Sequence, residues 1–426
     1  MRKRLMRDVC VIGAGMTKIG IVTSTPEIKG MTYRELMAYA AAEAIGDANI
    51  TTRDIEAYYA SHAGGSLYIE HQIHLSNLAG LWTGLIGKAG TLVGDACAAS
   101  SLAIKEATFA IASGVYDVAI VVSAEIYNAR GHIKHPGYME ETRSEELLEN
   151  VVHTAYDQAW EKPQMGQNSA YYAQWLIAYA KNYGLSVEEM FDTMDAIITT
   201  NYYNGYLNPK AYIRLKLEDA AKEAGFKNSK DLLRSPAHNP FVFWPIRVWD
   251  YERMADGAAA VVLCAAEKAE KLHDKPVRIL GLGAAQGVPI SEKMYTHPFR
   301  VKAAAQAYEM AGIKPSDVDI AEIHDTSVGQ YLIASEDVGY FDRGEAWTAI
   351  IEGEARFDGD KPVNAMGGGQ SGRPMGIHGA IQAYHIVKQL RGEAEAMQVS
   401  PKPKIGLAYD DGHARNAIPI IYGYGV

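Results

Sequence analysis

The chain has 426 residues, enough for two or three domains of ordinary size. Its net charge of −10, with 48% hydrophobic and 22% charged residues, is that of a soluble globular protein and argues against broad binding to nucleic acid or to anionic membranes, which needs a basic surface. Three cysteines (Cys10, Cys97 and Cys264) stand far apart with no CxxC pair, which excludes a disulfide framework, indicates no metal site and suits a reducing cytoplasm.

Met1-Arg2-Lys3-Arg4 is basic, but the apolar run from Val9 to Ile12 is too short for the core of a signal peptide and reads as a first strand. The Gly13-Ala14-Gly15 that follows is an incomplete GxGxxG and carries no dinucleotide site. His71, His74, His132 and His135 form no metal set and read as surface or interface residues. A helix is expected from Ser100 to Ser113 and a buried strand over Val118–Glu125. Residues 126–248, rich in Tyr, Asn and Lys, interrupt the core before its next strand, placed at Ala258–Leu263. An excursion of this length is a lid, a substrate-binding subdomain or plain architecture. No run of about 18 apolar residues exists, so no membrane span is expected.

A second series of elements then echoes the first. Asp8–Gly15 (DVCVIGAG) is matched by Val277–Ala284 (VRILGLGA), and residues 48–62 by residues 311–325, with Asp54 and Asp317 at equivalent places. A helix over Gly379–Leu390 mirrors the one over Ala98–Ala112. Alternating strands and helices in two related sets predict an α/β fold of two duplicated halves. The expected units are 1–125 with 249–272, the insert 126–248, and 273–426.

Three places carry candidate chemistry. Cys97 lies among small residues immediately before a helix, where the helix dipole and free backbone N–H groups favour thiolate. His324 ends a strand, the position where ligands bind in α/β sheets, and can move a proton or donate to an oxyanion. The run from Gly367 to Gly379 implies close approach of backbone to a ligand or to other backbone, and its His378 is placed by the repeat near the Cys97 helix.

At these residues the sequence resembles the thiolase superfamily, most closely its archaeal and sterol-carrier types. Gly94-Asp95-Ala96-Cys97-Ala98-Ala99-Ser100 resembles the nucleophile loop, His324-Asp325 the oxyanion motif, and Ala255–Val262 the strand closing the first half. Leu207-Asn208-Pro209-Lys210 resembles a loop-domain segment near coenzyme A. The resemblance implies a layered α-β-α-β-α core with a loop subdomain inserted in the first half. It implies Cys97, His324 and His378 as catalytic residues, Asp410 and His413 as acid or oxyanion groups, and Lys210, Gly368 and Gly369 toward coenzyme A. The implied reaction is Claisen cleavage or formation of a 3-oxoacyl-CoA through an acyl-cysteine, with coenzyme A as co-substrate and no permanently bound cofactor. The tyrosine-rich insert would suit a bulky or aromatic acyl group. Implied partners are a second copy of the chain, with the segment His71–Trp82 as the expected interface, and a small zinc-ribbon/OB-type companion subunit.

Three departures stand out. Gly372-Arg373-Pro374 replaces the family's Gly-His-Pro, so His378 is the substitute base. Tyr409-Asp410-Asp411-Gly412-His413 lacks the usual second cysteine. Asp250-Tyr251-Glu252-Arg253-Met254 replaces a more apolar stretch. These departures leave open acyl transfer to an acceptor other than coenzyme A, and a non-catalytic subunit of a complex.

Overall fold

The computed structural model describes residues 4–64, 74–127, 168–289, 292–412 and 415–426. His71, His132, His135 and His413 lie outside them, as do the first residues of the expected interface segment and much of the insert.

The first half supplies β1 (Val9–Met16), α1 (Tyr33–Asp47), β2 (Ala57–His62), α2 (Leu75–Trp82), β3 (Ala89–Gly94), α3 (Ala99–Ala112) and β4 (Val118–Glu125). The insert follows with α4 (Asn168–Tyr183), α5 (Val187–Leu207), α6 (Leu217–Glu223), α7 (Ser229–Leu233) and a hairpin of β5 (Phe241–Phe243) and β6 (Ile246–Arg247). The chain then returns through β7 (Gly257–Ala265) and α8 (Ala266–Leu272). The second half runs through β8 (Val277–Leu282), β9 (Ala285–Gln286), α9 (Pro298–Ala311), β10 (Ile320–Ile323), α10 (Val328–Asp337), α11 (Ala346–Glu352), α12 (His378–Arg391), β11 (Ile405–Asp411) and β12 (Asn416–Gly423).

Strand order makes the duplication explicit. The sheet reads β10-β11-β12-β8-β1-β7-β4-β2-β3. It is palindromic about the β8–β1 junction. β1 pairs antiparallel with β7, β7 antiparallel with β4, and β4 and β3 pair parallel with β2. Likewise β8 pairs antiparallel with β12, β12 antiparallel with β11, and β11 parallel with β10. Even the second half's outer edge has a counterpart, a parallel bridge from Ala321 to Val363. β1, β4 and β7 are buried along their whole length, as strands covered on both faces must be.

The core divides into three apolar clusters that follow the layers. One packs α1 and α8 on the outside of the first half, and another packs α9, α10 and the insert helices on the outside of the second. The third lies between, where α3 and α12 meet under the sheet. That central contact is close because position 379 is glycine: a Cβ there would meet Ser101 Oγ at 1.8 Å. Ser100 Oγ accepts a hydrogen bond from Ala380 N at 3.1 Å, joining the two helix starts across the pseudo-twofold. Both helices stop at glycines with positive φ, Gly114 just beyond α3 and Gly392 at the end of α12. Among the described residues no helix is long and apolar enough to cross a membrane.

Candidate active site

Cys97 follows β3 on a short turn and stands two residues before the first residue of α3. The residue before it, Ala96, has φ 45, a left-handed conformation that costs an L-residue energy and is retained where a side chain must be aimed. The turn is pinned from the other half of the molecule by Asn416, which donates to Asp95. The thiol is 7% exposed and packs on Tyr127 and Met375, with Ala63 and Met254 alongside.

Burial dominates the thiol's electrostatics. Desolvation pushes it up to about 12, and the carboxylates of Asp410, Asp411 and Glu125 add to the rise, while the Arg373 guanidinium opposes it. The expected benefit of the helix start is therefore outweighed by burial.

His324, on the turn after β10, and His378, the first residue of α12, are both buried. Their rings lie edge to face with centroids 5.2 Å apart. Each turns Nδ1 to the same oxygen of Asp410, on β11: His324 at 2.7 Å and His378 at 3.4 Å. Asp410 Oδ1 also accepts from its neighbour's backbone, Asp411 N at 3.0 Å, and Oδ2 accepts from Ser101 Oγ at 3.0 Å. These bonds, with both imidazoles, outweigh desolvation and hold the carboxyl well below the usual carboxylate range. Asp410 is thus a permanent anion that fixes both histidines with hydrogen on Nδ1. His378 Nε2 is left buried and, among the described residues, unpartnered, a lone pair available to a proton. Burial holds His378 at about 3, so its resting form is neutral.

His324 Nε2 contacts Thr326 Oγ1 at 3.0 Å. Thr326 Oγ1 in turn accepts from Arg373 Nη2 at 2.6 Å, which leaves its own proton for His324. Among the described residues, His324, His378 and Asp410 are the group whose donor atoms converge closely enough to hold a metal ion. Their convergence on a single, already bonded carboxylate oxygen reads instead as a proton relay.

The neighbour of His324, Asp325, plays a different part from the one its place in the motif implies. Its carboxylate turns away from the imidazole and accepts from Gly369 N at 2.8 Å and from Asn201 and Asn364 Nδ2, each at 3.0 Å. Burial raises it to about 7 despite those bonds. It thereby fastens the glycine run to the end of β10 and to α5. Gly368 has φ 59, and a Cβ there would meet Asp325 Oδ2 at 2.2 Å. Gly368 and Gly369 thus serve an intramolecular approach. Lys210 is also engaged within the protein: its ammonium bonds Glu43 Oε1 at 2.6 Å and the carbonyl of Met16.

The structure therefore brings together His324, His378 and Asp410, sets Cys97 within the electrostatic influence of Asp410, and places Lys210 in a separate ion pair. Sequence reading missed Thr326, Ser101, Asn201 and Glu252 as members of the site. Ser101 and Thr326 adjoin the quoted motifs and could have been weighed there. Nothing in the insert's composition marks Asn201.

The family models agree with this architecture. Residues 9–184 match the N-terminal domain of thiolase and residues 289–421 the thiolase C-terminal domain-like model. The acetyl-CoA acetyltransferase of Methanothermobacter thermautotrophicus is 31% identical over 96% of this chain and 97% of its own length. The chain belongs to the thiolase family. The benzoylsuccinyl-CoA thiolase subunit BbsB of Thauera aromatica is 27% identical over 97% of both thiolase chains. Among solved structures the Ltp2-ChsH2(DUF35) aldolase superposes with TM-score 0.74 at 20% identity over 98% of each chain. Human mitochondrial 3-ketoacyl-CoA thiolase in complex with CoA superposes with TM-score 0.69 at 17% identity over the full length of both. These two likenesses carry the fold.

Proposed function

We propose that this thiolase-family protein is an acyltransferase that cleaves or forms a 3-oxoacyl-CoA through an acyl-cysteine at Cys97. The observation that carries the reading is the enclosure of Cys97 under the electrostatic influence of Asp410, the ionised carboxylate on which two histidines hinge. The relatives named acetyl-CoA acetyltransferase support the acyl-CoA substrate class.

In the cleavage direction the Cys97 sulfur adds to the 3-oxo carbon. The bond between C2 and C3 then breaks, leaving the acyl group on sulfur and an acetyl-CoA enolate. His378 Nε2 takes the thiol proton and returns it to the enolate carbon. His324, after Nε2 has taken a proton from solvent as substrate enters and Thr326 has turned aside, donates to the thioester oxygen, a contact worth about 3 kcal/mol in such sites. Coenzyme A attacks the acyl-cysteine and releases the shortened thioester. Asp410 stays ionised throughout and holds the two rings in place.

Two partners complete the reading. β3 forms one edge of the sheet, and five of its six residues are exposed. An open strand of this kind pairs with a copy of itself, so β3 and the neighbouring α2, with Leu81 58% exposed, form the proposed homodimer face. The relative named as a subunit and the aldolase titled as a pair of proteins support a companion subunit as well. Phe241, Phe243 and Trp244 on the insert hairpin, each close to half exposed, are the apolar surface it would cover.

The test is release of free coenzyme A and acetyl-CoA from a 3-oxoacyl-CoA, with intact-mass detection of an acyl adduct on Cys97. A wild-type protein that forms neither product nor adduct, or a Cys97→Ser variant as active as wild type, ends this reading.

A further inference from the structure

The insert meets the active-site loop through one helix, α5, which runs over 21 residues. Asn201, Asn204 and Asn208, the last being the residue that ends the helix, follow one another at spacings of three and four and so share one face. All three are buried. Each aims its amide at the chain around the glycine run. Asn201 Nδ2 donates to Gln370 Oε1 at 2.5 Å as well as to Asp325, Asn204 Nδ2 to Asn364 O at 3.0 Å, and Asn208 Nδ2 to Met366 O at 2.9 Å. The loop returns one bond, from Ser371 Oγ to Asn201 O at 3.1 Å. The two backbones touch, since a Cβ at Gly367 would meet Gly205 Cα at 2.6 Å. Asparagine favours a helix less than alanine or leucine does, because its amide competes for backbone partners. A row of three on a buried face therefore serves what the row holds.

The segment they hold lies between two parts of the site. At its start, Asn364 Oδ1 accepts from Ile323 N at 2.7 Å, one residue before His324. Beyond Ser371 the chain runs through Arg373 to Met375, which packs in the apolar cluster of Cys97, and then to His378 at the head of α12. The position of the loop relative to the end of β10 thus decides where the cover of the nucleophile and the start of α12 come to rest.

We propose that Asn204 and Asn208 are positioning residues for the reaction: by holding the carbonyls of Asn364 and Met366 they set where the loop places Met375 over Cys97 and where it delivers His378. This deepens the proposed function and rests on the proton exchange between Cys97 and His378. The two amides act through the loop, and a displacement of about 1 Å at reacting groups costs up to about a hundredfold in rate.

The test compares Asn204→Ala and Asn208→Ala with Asn239→Ala in the full-length protein. Asn239 is also a buried asparagine of the insert, but its partners are Leu233 O, at 2.8 Å from Nδ2, and Trp249 N, at 2.9 Å from Oδ1. Urea unfolding first finds conditions in which wild type and variants are all fully folded. There kcat on a 3-oxoacyl-CoA is expected to fall by about ten- to a hundredfold in the two loop variants with KM nearly unchanged, and to stay at the wild-type level in Asn239→Ala. Iodoacetamide alkylation of Cys97, followed by peptide mass, is expected to be about fivefold or more faster in the same two variants, because a loosened Met375 uncovers the thiol. A merely structural role would lower stability alone. A kcat as high as in Asn239→Ala, or alkylation no faster than in that variant, therefore overturns the proposal. Should Asn204→Ala fail to fold, Asn208→Ala, at the helix end, decides. A wild type without Cys97-dependent turnover defeats the proposed function, and the alkylation comparison then decides this inference by itself.

Discussion

Arg373 and Glu252 form an ion pair, and they come from two of the segments in which this sequence departs from its family's pattern. The two departures are therefore one structural change: a cation where the family has histidine, and an acid on the facing segment that answers it. Arg373 is almost wholly enclosed and the Glu252 side chain only 11% exposed. Removing one partner leaves the other charged and desolvated, which costs about 3–5 kcal/mol in comparable buried pairs. The double variant Arg373→Met/Glu252→Met is expected to lose clearly less stability than the two single losses added. Urea unfolding of the four proteins in the cycle measures this, and additive losses would contradict a coupled pair.

Asp410→Asn removes the anion on which both imidazoles turn, with almost no change in volume. His324 and His378 then lose the acceptor that fixes hydrogen on Nδ1, and the amide can present a donor to either ring. A fall in kcat of roughly 10²–10⁴-fold is expected, the range for a misplaced general base, with KM nearly unchanged. Steady-state kinetics on a 3-oxoacyl-CoA gives the split. A rise in KM at constant kcat would place Asp410 in substrate binding.

Gly368→Ala places a methyl group where Asp325 Oδ2 and the Asn201 amide already are, at a backbone position with φ 59. The loop has no free direction in which to yield, because Gly369 N is bonded to the same carboxylate. A loss of about 1–3 kcal/mol is expected from overpacking and strain together. Thermal or urea unfolding measures it. A neutral substitution would mean that the loop is looser than its contacts imply.

His385, on α12 behind the site, is 3% exposed with Nε2 unpartnered among the described residues, and burial lowers it to about 3. The unfolded chain carries this imidazole at its ordinary value near 6.5, so the folded value sits well below it. As pH falls below about 6.5 the unfolded chain takes up a proton at this position that the folded chain refuses. Folding stability therefore declines toward acid, by about 1.4 kcal/mol per pH unit from this residue between roughly pH 6 and 4. His385→Gln is expected to flatten the pH dependence of the urea midpoint by that one proton. Parallel curves for variant and wild type would show that the ring is protonated in the folded protein.

The sequence made the duplicated architecture legible because strands buried on both faces leave continuous apolar runs, and the two runs at Asp8 and Val277 lead into β1 and β8, the strands that meet at the centre of the sheet. It also marked Cys97, His324 and His378, since each stands at the end of a strand or the start of a helix in an unusual local composition. What it could not give were the partners. Asp325 follows His324 in the chain yet faces the glycine run, while the carboxylate that does hold His324 arrives from β11. Such pairings depend on side-chain direction after a strand end, which no local pattern encodes. The same holds for Arg373. Read alone it is the loss of a base, and its two nitrogens without a hydrogen-bond partner among the described residues become visible only once Glu252 and Thr326 are seen to occupy the third.

The strand β3 ends two residues before the strained Ala96, and its outward backbone has no neighbour among the described residues. The reactive turn thus hangs from the least supported rail of the sheet. Under the proposed self-pairing, a second copy of the chain braces that rail, and the tension stored at Ala96 has something to pull against. Catalytic power would then be a property of the pair: diluting the protein until the copies part would slacken the turn and quench turnover while each chain, core intact, stayed folded.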